Sequence, residues 1–292
     1  MANSLAIQEH VAYFLSGIVE AVRWPTIYSI IARSPSVQRT LLKSFLLNGV
    51  IYLGTLFLLE EVYNSPNHKI LGYSYASITG YPMYLLCLLA NSRYYARTAK
   101  ETFNAYTDHA QEYDESLSSM GSLITMAVFY MNCAAFVALI RSIPVIGPFV
   151  AFIIQCIITS FYCFDYKWSF LGWSMEQRLA YSEQHWSFFC GFGLPVSGLT
   201  FFLSTLRAGG VFALVYPFYI IMATTASVKP LQAVSTFKLP PNRYSTTLPA
   251  RIPVFLPIEL VTRAVVQLLL KLGVTSVQST VVENKDHLGK LV

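Results

Sequence analysis

Long apolar runs alternate with short polar interruptions, and the runs fill most of residues 41–228. Six stretches carry no charge and read as membrane helices: Ser44–Leu59, Ile70–Ala90, Met120–Ile140, Pro144–Phe164, Ser187–Leu206 and Ala208–Val228. The first makes ~24 Å of helix, short for a ~30 Å hydrocarbon core unless Leu41 and Leu42 extend it while Lys43 snorkels. The last four runs fall into pairs. Only Arg141-Ser142-Ile143 divides one pair and only Arg207 the other, so each predicts a tight helical hairpin with an arginine at its tip. Pro144, Gly147 and Pro148 punctuate the first pair and Gly209-Gly210 the second. This is a weak two-fold internal repeat, a feature common in transport folds.

Three further segments have helical spacing with one apolar or aromatic face. In residues 5–24 Ile7, Val11, Phe14, Ile18 and Val22 form a stripe, Gln8, Glu9, Ser16, Glu20 and Arg23 lie off it, and Pro25 ends it. That predicts a helix lying on the membrane surface. In residues 93–114 the stripe is Tyr95, Ala99, Phe103, Tyr106, Ala110 and Tyr113, predicting an interfacial or docking helix. In residues 258–272 Pro257 opens a helix, and Glu259, Arg263, Gln267 and Lys271 mark its polar side. The expected fold is all-α and polytopic: two long spanning helices, two hairpins that span or partly penetrate, and amphipathic interfacial helices. Residues 1–230 form the membrane domain, and residues 231–292 form a cytosolic tail with the helix at 258–272.

Composition agrees with the pattern. Of 292 residues 54% are hydrophobic and 12% charged, against ~25% charged in a soluble domain. No cleavable leader is expected, because Glu9, Glu20 and Arg23 interrupt the first apolar stretch. The net charge of +5 reads through topology rather than as a nucleic-acid footprint. Six segments put both termini on one side, and 17 Lys and Arg fall on that side against 3 on the other, which predicts cytosolic termini.

Candidate chemistry is sparse. The five cysteines lie in or beside apolar runs, the five histidines are scattered, and neither a disulfide framework nor a metal site is expected. Enzymatic motifs are lacking, and no cofactor is expected. Asp165 and Lys167 stand where a helix leaves the membrane, with Tyr162, Tyr166 and Trp168 as belt aromatics, and Glu176, Arg178 and Glu183 follow. Ion pairs among them predict a rigid cap between the hairpins. Gly191 and Gly193 read either as a close helix crossing or as an anion nest, which with Arg141 and Arg207 would line an anion path.

The run Tyr162-Cys163-Phe164-Asp165-Tyr166-Lys167-Trp168, then Met175, Gln177-Arg178-Leu179, Glu183, Trp186 and Gly191-Phe192-Gly193-Leu194-Pro195 resembles the etoposide-induced protein 2.4 family. Its bacterial relatives are CysZ-type sulfate permeases. The resemblance implies an integral endoplasmic reticulum membrane protein, a role in autophagy, and a fold of long spanning helices with two partly penetrating hairpins. The leading expectation is a non-enzymatic membrane organiser or adaptor in autophagy. The alternatives are a sulfate-like anion channel or permease, and a lipid-handling scaffold at contact sites or droplets. Expected partners are the lipid bilayer, autophagy or membrane-contact proteins, a small anion under the permease reading, and a second copy of the chain if the hairpin tips are buried.

Overall fold

The structure is a computed structural model that describes residues 2–61, 69–70, 73–106, 120–230 and 251–271. Eleven helices are described: α1 (Ala2–Ala21), α2 (Trp24–Arg33), α3 (Pro35–Phe45), α4 (Gly54–Glu61), α5 (Tyr75–Tyr106), α6 (Met120–Arg141), α7 (Gly147–Phe170), α8 (Met175–Gln184), α9 (Trp186–Thr200), α10 (Thr205–Thr225) and α11 (Leu256–Lys271). A π-helical stretch, Leu46–Leu53, joins α3 to α4. The one strand pairing among the described residues is a two-residue antiparallel ladder, β1 (Lys69–Ile70) with β2 (Tyr73–Ser74).

The expected all-α membrane fold is present. Pro35–Glu61, Gly147–Phe170 and Thr205–Thr225 are long and apolar enough to cross a bilayer, and Thr125–Arg141 is a shorter apolar helix. The chain is a multi-pass membrane protein. Its first span is longer than the uncharged run suggested, because Ser34 caps α3, accepting a hydrogen bond from the Val37 N–H at 3.4 Å, and Pro35 stands in the first turn.

Two helix boundaries differ from expectation. Ile70, Tyr73 and Ser74 belong to the small ladder, and from Tyr75 the second predicted run continues without a break into the predicted docking helix as α5. Neither Gly nor Pro stands between residues 90 and 106 to stop it. The surface helix ends at Ala21, and Pro25 lies in the first turn of a separate helix, α2.

The chain divides into two compact units, residues 1–111 with 152–252, and residues 112–151 with 253–292. In the second unit α11 packs on α6: Ile258 and Thr262 are buried, Asn132 Nδ2 donates to Thr262 Oγ1 at 2.9 Å, and the Phe129 and Phe255 rings lie 6.1 Å apart. The turn after α6 holds Val145 at φ 68°, with its side chain 92% exposed.

The first unit is built on a close crossing of α1 and α9. A methyl added at Gly17 would strike the Phe188 carbonyl, and one at Gly191 would strike the Phe14 carbonyl. Small residues let membrane helices approach this closely. The side of α1 that meets protein is Ala12, Tyr13, Ser16, Glu20 and Ala21, whereas Ile7, Val11, Val19 and Val22 stay exposed. Of the expected stripe Ile7, Val11 and Val22 are exposed and Phe14 and Ile18 are half-buried, and protein covers the opposite face.

Candidate functional site

The stretch that joins α7 to α9 is a rigid cap. Ser174 and Gln177 form a capping box that starts α8: the Gln177 N–H donates to Ser174 Oγ at 3.3 Å, and the Ser174 N–H donates to Gln177 Oε1 at 2.8 Å. Arg178 then reaches back to Asp165 at 2.7 Å and donates from Nε to the Trp173 carbonyl at 2.9 Å. Trp168 stacks on Trp173 with centroids 6.1 Å apart, and Tyr181 stands edge-on to both. Leu179 and Trp168 are buried, and Tyr166 is half-buried.

Most of the remaining motif residues are tied to another segment of the same unit. Lys167 Nζ donates to the Ala226 carbonyl at 2.6 Å, satisfying a bare carbonyl at the end of α10. Tyr162 stacks on Tyr216 at 4.5 Å, and the Tyr216 hydroxyl donates to the Tyr162 carbonyl at 3.0 Å. Phe192 meets Phe164 edge-on at 4.9 Å. Trp186 lies 5.0 Å from the His10 ring of α1, and His10 Nδ1 is 3.3 Å from Ser187 Oγ. Glu183 is buried and receives Arg251 through Nε at 3.0 Å and Nη2 at 2.6 Å. Burial pushes the pKa of His185 down, and its hydrogen bond with the Tyr181 carbonyl opposes that shift. His10 is lowered by burial as well, with Glu9 pulling the other way.

The residues set out for an anion path are placed differently. Arg207 donates from Nε to Glu60 Oε2 at 2.7 Å, so a carboxylate already occupies its guanidinium. The two residues are 147 apart in the chain, and nothing along the sequence connects them. Arg141, at the end of α6, belongs to the second unit. Gly191 and Gly193 lie inside α9 beyond its first turn, where N–H groups serve the helix ladder rather than an open nest. A methyl on Gly193 would strike the Cys156 carbonyl, so both glycines mark close crossings, and Pro195 continues the same helix half-buried.

Sequence reading missed a buried polar cluster. Asn48 and Asn91 exchange amide hydrogen bonds at 3.0 and 2.6 Å. Asn48 Nδ2 also donates to the Ser44 carbonyl at 2.9 Å and to the Ala213 carbonyl at 3.2 Å. The Tyr95 hydroxyl donates to the same Ala213 carbonyl at 3.0 Å. Pro217 explains the convergence: it has no N–H for the carbonyl four residues earlier, which is that of Ala213. The signal available in sequence was a lone amide within an apolar run together with a proline in another.

The aromatic stripe of the predicted docking helix is largely covered. Tyr95, Ala99 and Phe103 are buried, with Tyr95 edge-on to Tyr216 at 4.7 Å and Phe103 against Phe170 at 5.1 Å; Tyr106 is exposed. Ala110 and Tyr113 lie outside the described residues. Among the described residues no group of His, Cys, Asp and Glu is arranged to hold a metal ion.

A family model described as "Sulfate transporter CysZ/Etoposide-induced protein 2.4" matches residues 23–226. A "Protein EI24 homolog" of Dictyostelium discoideum is 31% identical over 253 residues, 82% of this chain and 78% of that protein. A "Protein EI24 homolog" of Arabidopsis thaliana is 26% identical over 265 residues, 72% of this chain and 82% of that protein. "Ectopic P granules protein 4" of Caenorhabditis elegans is 35% identical over 86 residues, 29% of this chain and 27% of that protein. No solved structure matches the chain. The cap residues from Tyr162 to Pro195 all fall inside the matched stretch, and with an all-helical membrane fold around them the chain belongs to the CysZ/etoposide-induced protein 2.4 family.

Proposed function

We propose that this protein is a non-enzymatic organiser of the endoplasmic reticulum membrane that acts in autophagy, with both termini in the cytosol. The observation that carries the reading is α1. It is locked to α9 by a glycine crossing and directs Ile7, Val11, Val19 and Val22 outward, so a fixed helical wedge enters lipid beside the bundle. Trp24 and Tyr28 of α2 are also exposed and extend that surface with residues suited to the headgroup boundary. The placement in the reticulum is supported by span length. Lys43 and Glu60 are 17 residues apart on one continuous rod, at most ~26 Å, which suits the ~27 Å reticulum bilayer better than thicker membranes.

The test is rescue of a null cell line with the chain carrying Ile7→Ser, Val11→Ser, Val19→Ser and Val22→Ser. The variant is expected to stay in carbonate-washed reticulum membranes and to restore less than about half of autophagic flux, since each stripe residue loses ~1.5–3 kcal/mol of lipid burial. Full rescue would overturn the reading.

A permease for a sulfate-like anion is the second reading. It is supported by the family description and by the Asn48–Asn91–Tyr95 cluster, since polar groups inside membrane segments mark candidate pathways. It expects sulfate uptake into proteoliposomes that Asn48→Ala abolishes and Arg207→Gln leaves nearly intact. Uptake that ignores Asn48 would remove it.

A further inference from the structure

Two rows of cations border one another at one end of the first unit. Residues 33–45 carry Arg33, Arg39 and Lys43 with no acid, and residues 91–103 carry Arg93, Arg97 and Lys100 with Glu101 as the single acid. All six basic residues are exposed. Helical spacing aligns Ser36, Arg39 and Lys43 along α3, and Arg93, Arg97 and Glu101 along α5.

Hydrogen bonds fix how the rows meet. Ser36 Oγ donates to Glu101 Oε1 at 3.0 Å, and Arg97 Nη2 donates to Ser36 Oγ at 3.3 Å. Asn48 pairs with Asn91 at the other end, so α3 and α5 run antiparallel with these rows side by side. Glu101, the one carboxylate within the rows, is engaged by Ser36 and lies 3.9 Å from Arg97 Nε. The sequence does not reveal this, because residues 46–90 separate the two rows in the chain.

The rows also have a defined depth. Immediately beyond Lys43 the chain exposes Phe45 and Leu46, and immediately before Arg93 α5 exposes Leu85, Leu86, Leu88 and Leu89. The apolar skirt ends where Lys43 and Arg93 begin. A face with six cations and one carboxylate, bordered by an exposed apolar skirt, suits the level of lipid phosphates.

We propose that the α3–α5 face binds the headgroups of anionic phospholipids in the leaflet that borders it. Arg93 and Lys43 meet the phosphate nearest the acyl chains, and Arg39 and Arg97 meet the outer charge of the same or a neighbouring headgroup. Arginine supplies paired N–H donors to phosphate oxygens, and lysine supplies a point charge. The lipid source follows from the skirt, which holds the acyl chains that a free anion lacks.

The full chain is reconstituted in phosphatidylcholine nanodiscs with a few per cent of either spin-labelled phosphatidylserine or spin-labelled phosphatidylcholine. The motionally restricted fraction of each label then gives a selectivity ratio. Wild-type protein is expected to favour phosphatidylserine severalfold, and raised salt is expected to reduce that preference. Each cation lost near an anionic surface lowers affinity about five-fold, so Lys43→Gln/Arg93→Gln/Arg97→Gln is expected to bring the ratio close to one. The charge-conserving Lys43→Arg/Arg93→Lys/Arg97→Lys is expected to retain the preference, as is Arg263→Gln on α11.

A wild-type ratio near one overturns the proposal without recourse to any variant. So does an unchanged ratio in a triple variant that remains monodisperse. Displacement of the labelled lipid by millimolar sulfate or inorganic phosphate overturns the lipid assignment and reassigns the face to a soluble anion.

Discussion

Pro217 deprives α10 of one backbone N–H, and the Ala213 carbonyl left bare is met by Asn48 and Tyr95. Buried polar groups that lose one partner cost ~1–3 kcal/mol each. Asn48→Leu is therefore expected to lower unfolding stability by ~2–4 kcal/mol, since both the Asn91 amide and the Ala213 carbonyl lose a partner. The pair Asn48→Leu/Asn91→Leu is expected to recover part of that loss, and a denaturation cycle in detergent measures the coupling. At the α1–α9 crossing, Gly191→Ala places a methyl on the Phe14 carbonyl and is expected to cost ~1–3 kcal/mol in the same assay. Crossing partners are invisible in sequence: Gly191 was legible as a candidate for close approach, but nothing along the chain pairs it with Phe14.

At the scale of elements, apolar runs and caps were readable, and continuity was not. Ser34 with Pro35 announces α3, and Ser174 with Gln177 announces α8, because capping is local. The fusion of two expected helices into α5 was hidden, since polarity changes at Asn91-Ser92-Arg93 without any backbone signal for a break. The turn after α6 contains a β-branched residue in the left-handed region, where a side chain costs ~1–2 kcal/mol. Val145→Gly is expected to raise stability by ~0.5–1 kcal/mol after the entropy of glycine is subtracted, read as a small rise in Tm. Where α8 meets α9, burial holds the His185 pKa below its ordinary value of 6.5. The unfolded chain therefore binds the proton first. Its contribution is present above about 6.5 and is lost as pH falls from there toward the folded pKa. Tm is expected to decline over that window, and His185→Gln is expected to flatten the decline.

For the molecule as a whole, the chain groups into two compact units. The two units interleave in the chain, with Pro253–Lys271 grouped with α6 and Arg251 held by Glu183 of the cap. The periodicity that marks α11 carried no information about where that helix returns. Deleting Leu256–Lys271 uncovers Phe129 and leaves Asn132 without Thr262. Faster limited proteolysis within residues 120–151 is the expected result, with the α1–α9 unit retaining its protease-resistant fragment.

The amide clasp also has a temporal consequence. Asn48 emerges from the ribosome 165 residues before its final acceptor, Ala213, but only 43 residues before Asn91. At ~5–20 residues per second the first interval lasts ~8–33 s and the second only ~2–9 s. The nascent helical pair α3–α5 can thus satisfy itself reciprocally while the rest of the polypeptide is being translated, and later surrender one spare donor to the incoming α10. A ribosome-arrested chain stalled near residue 200 should already yield a crosslink between cysteines introduced at Ser36 and Glu101, which meet across the same two helices and leave the clasp intact.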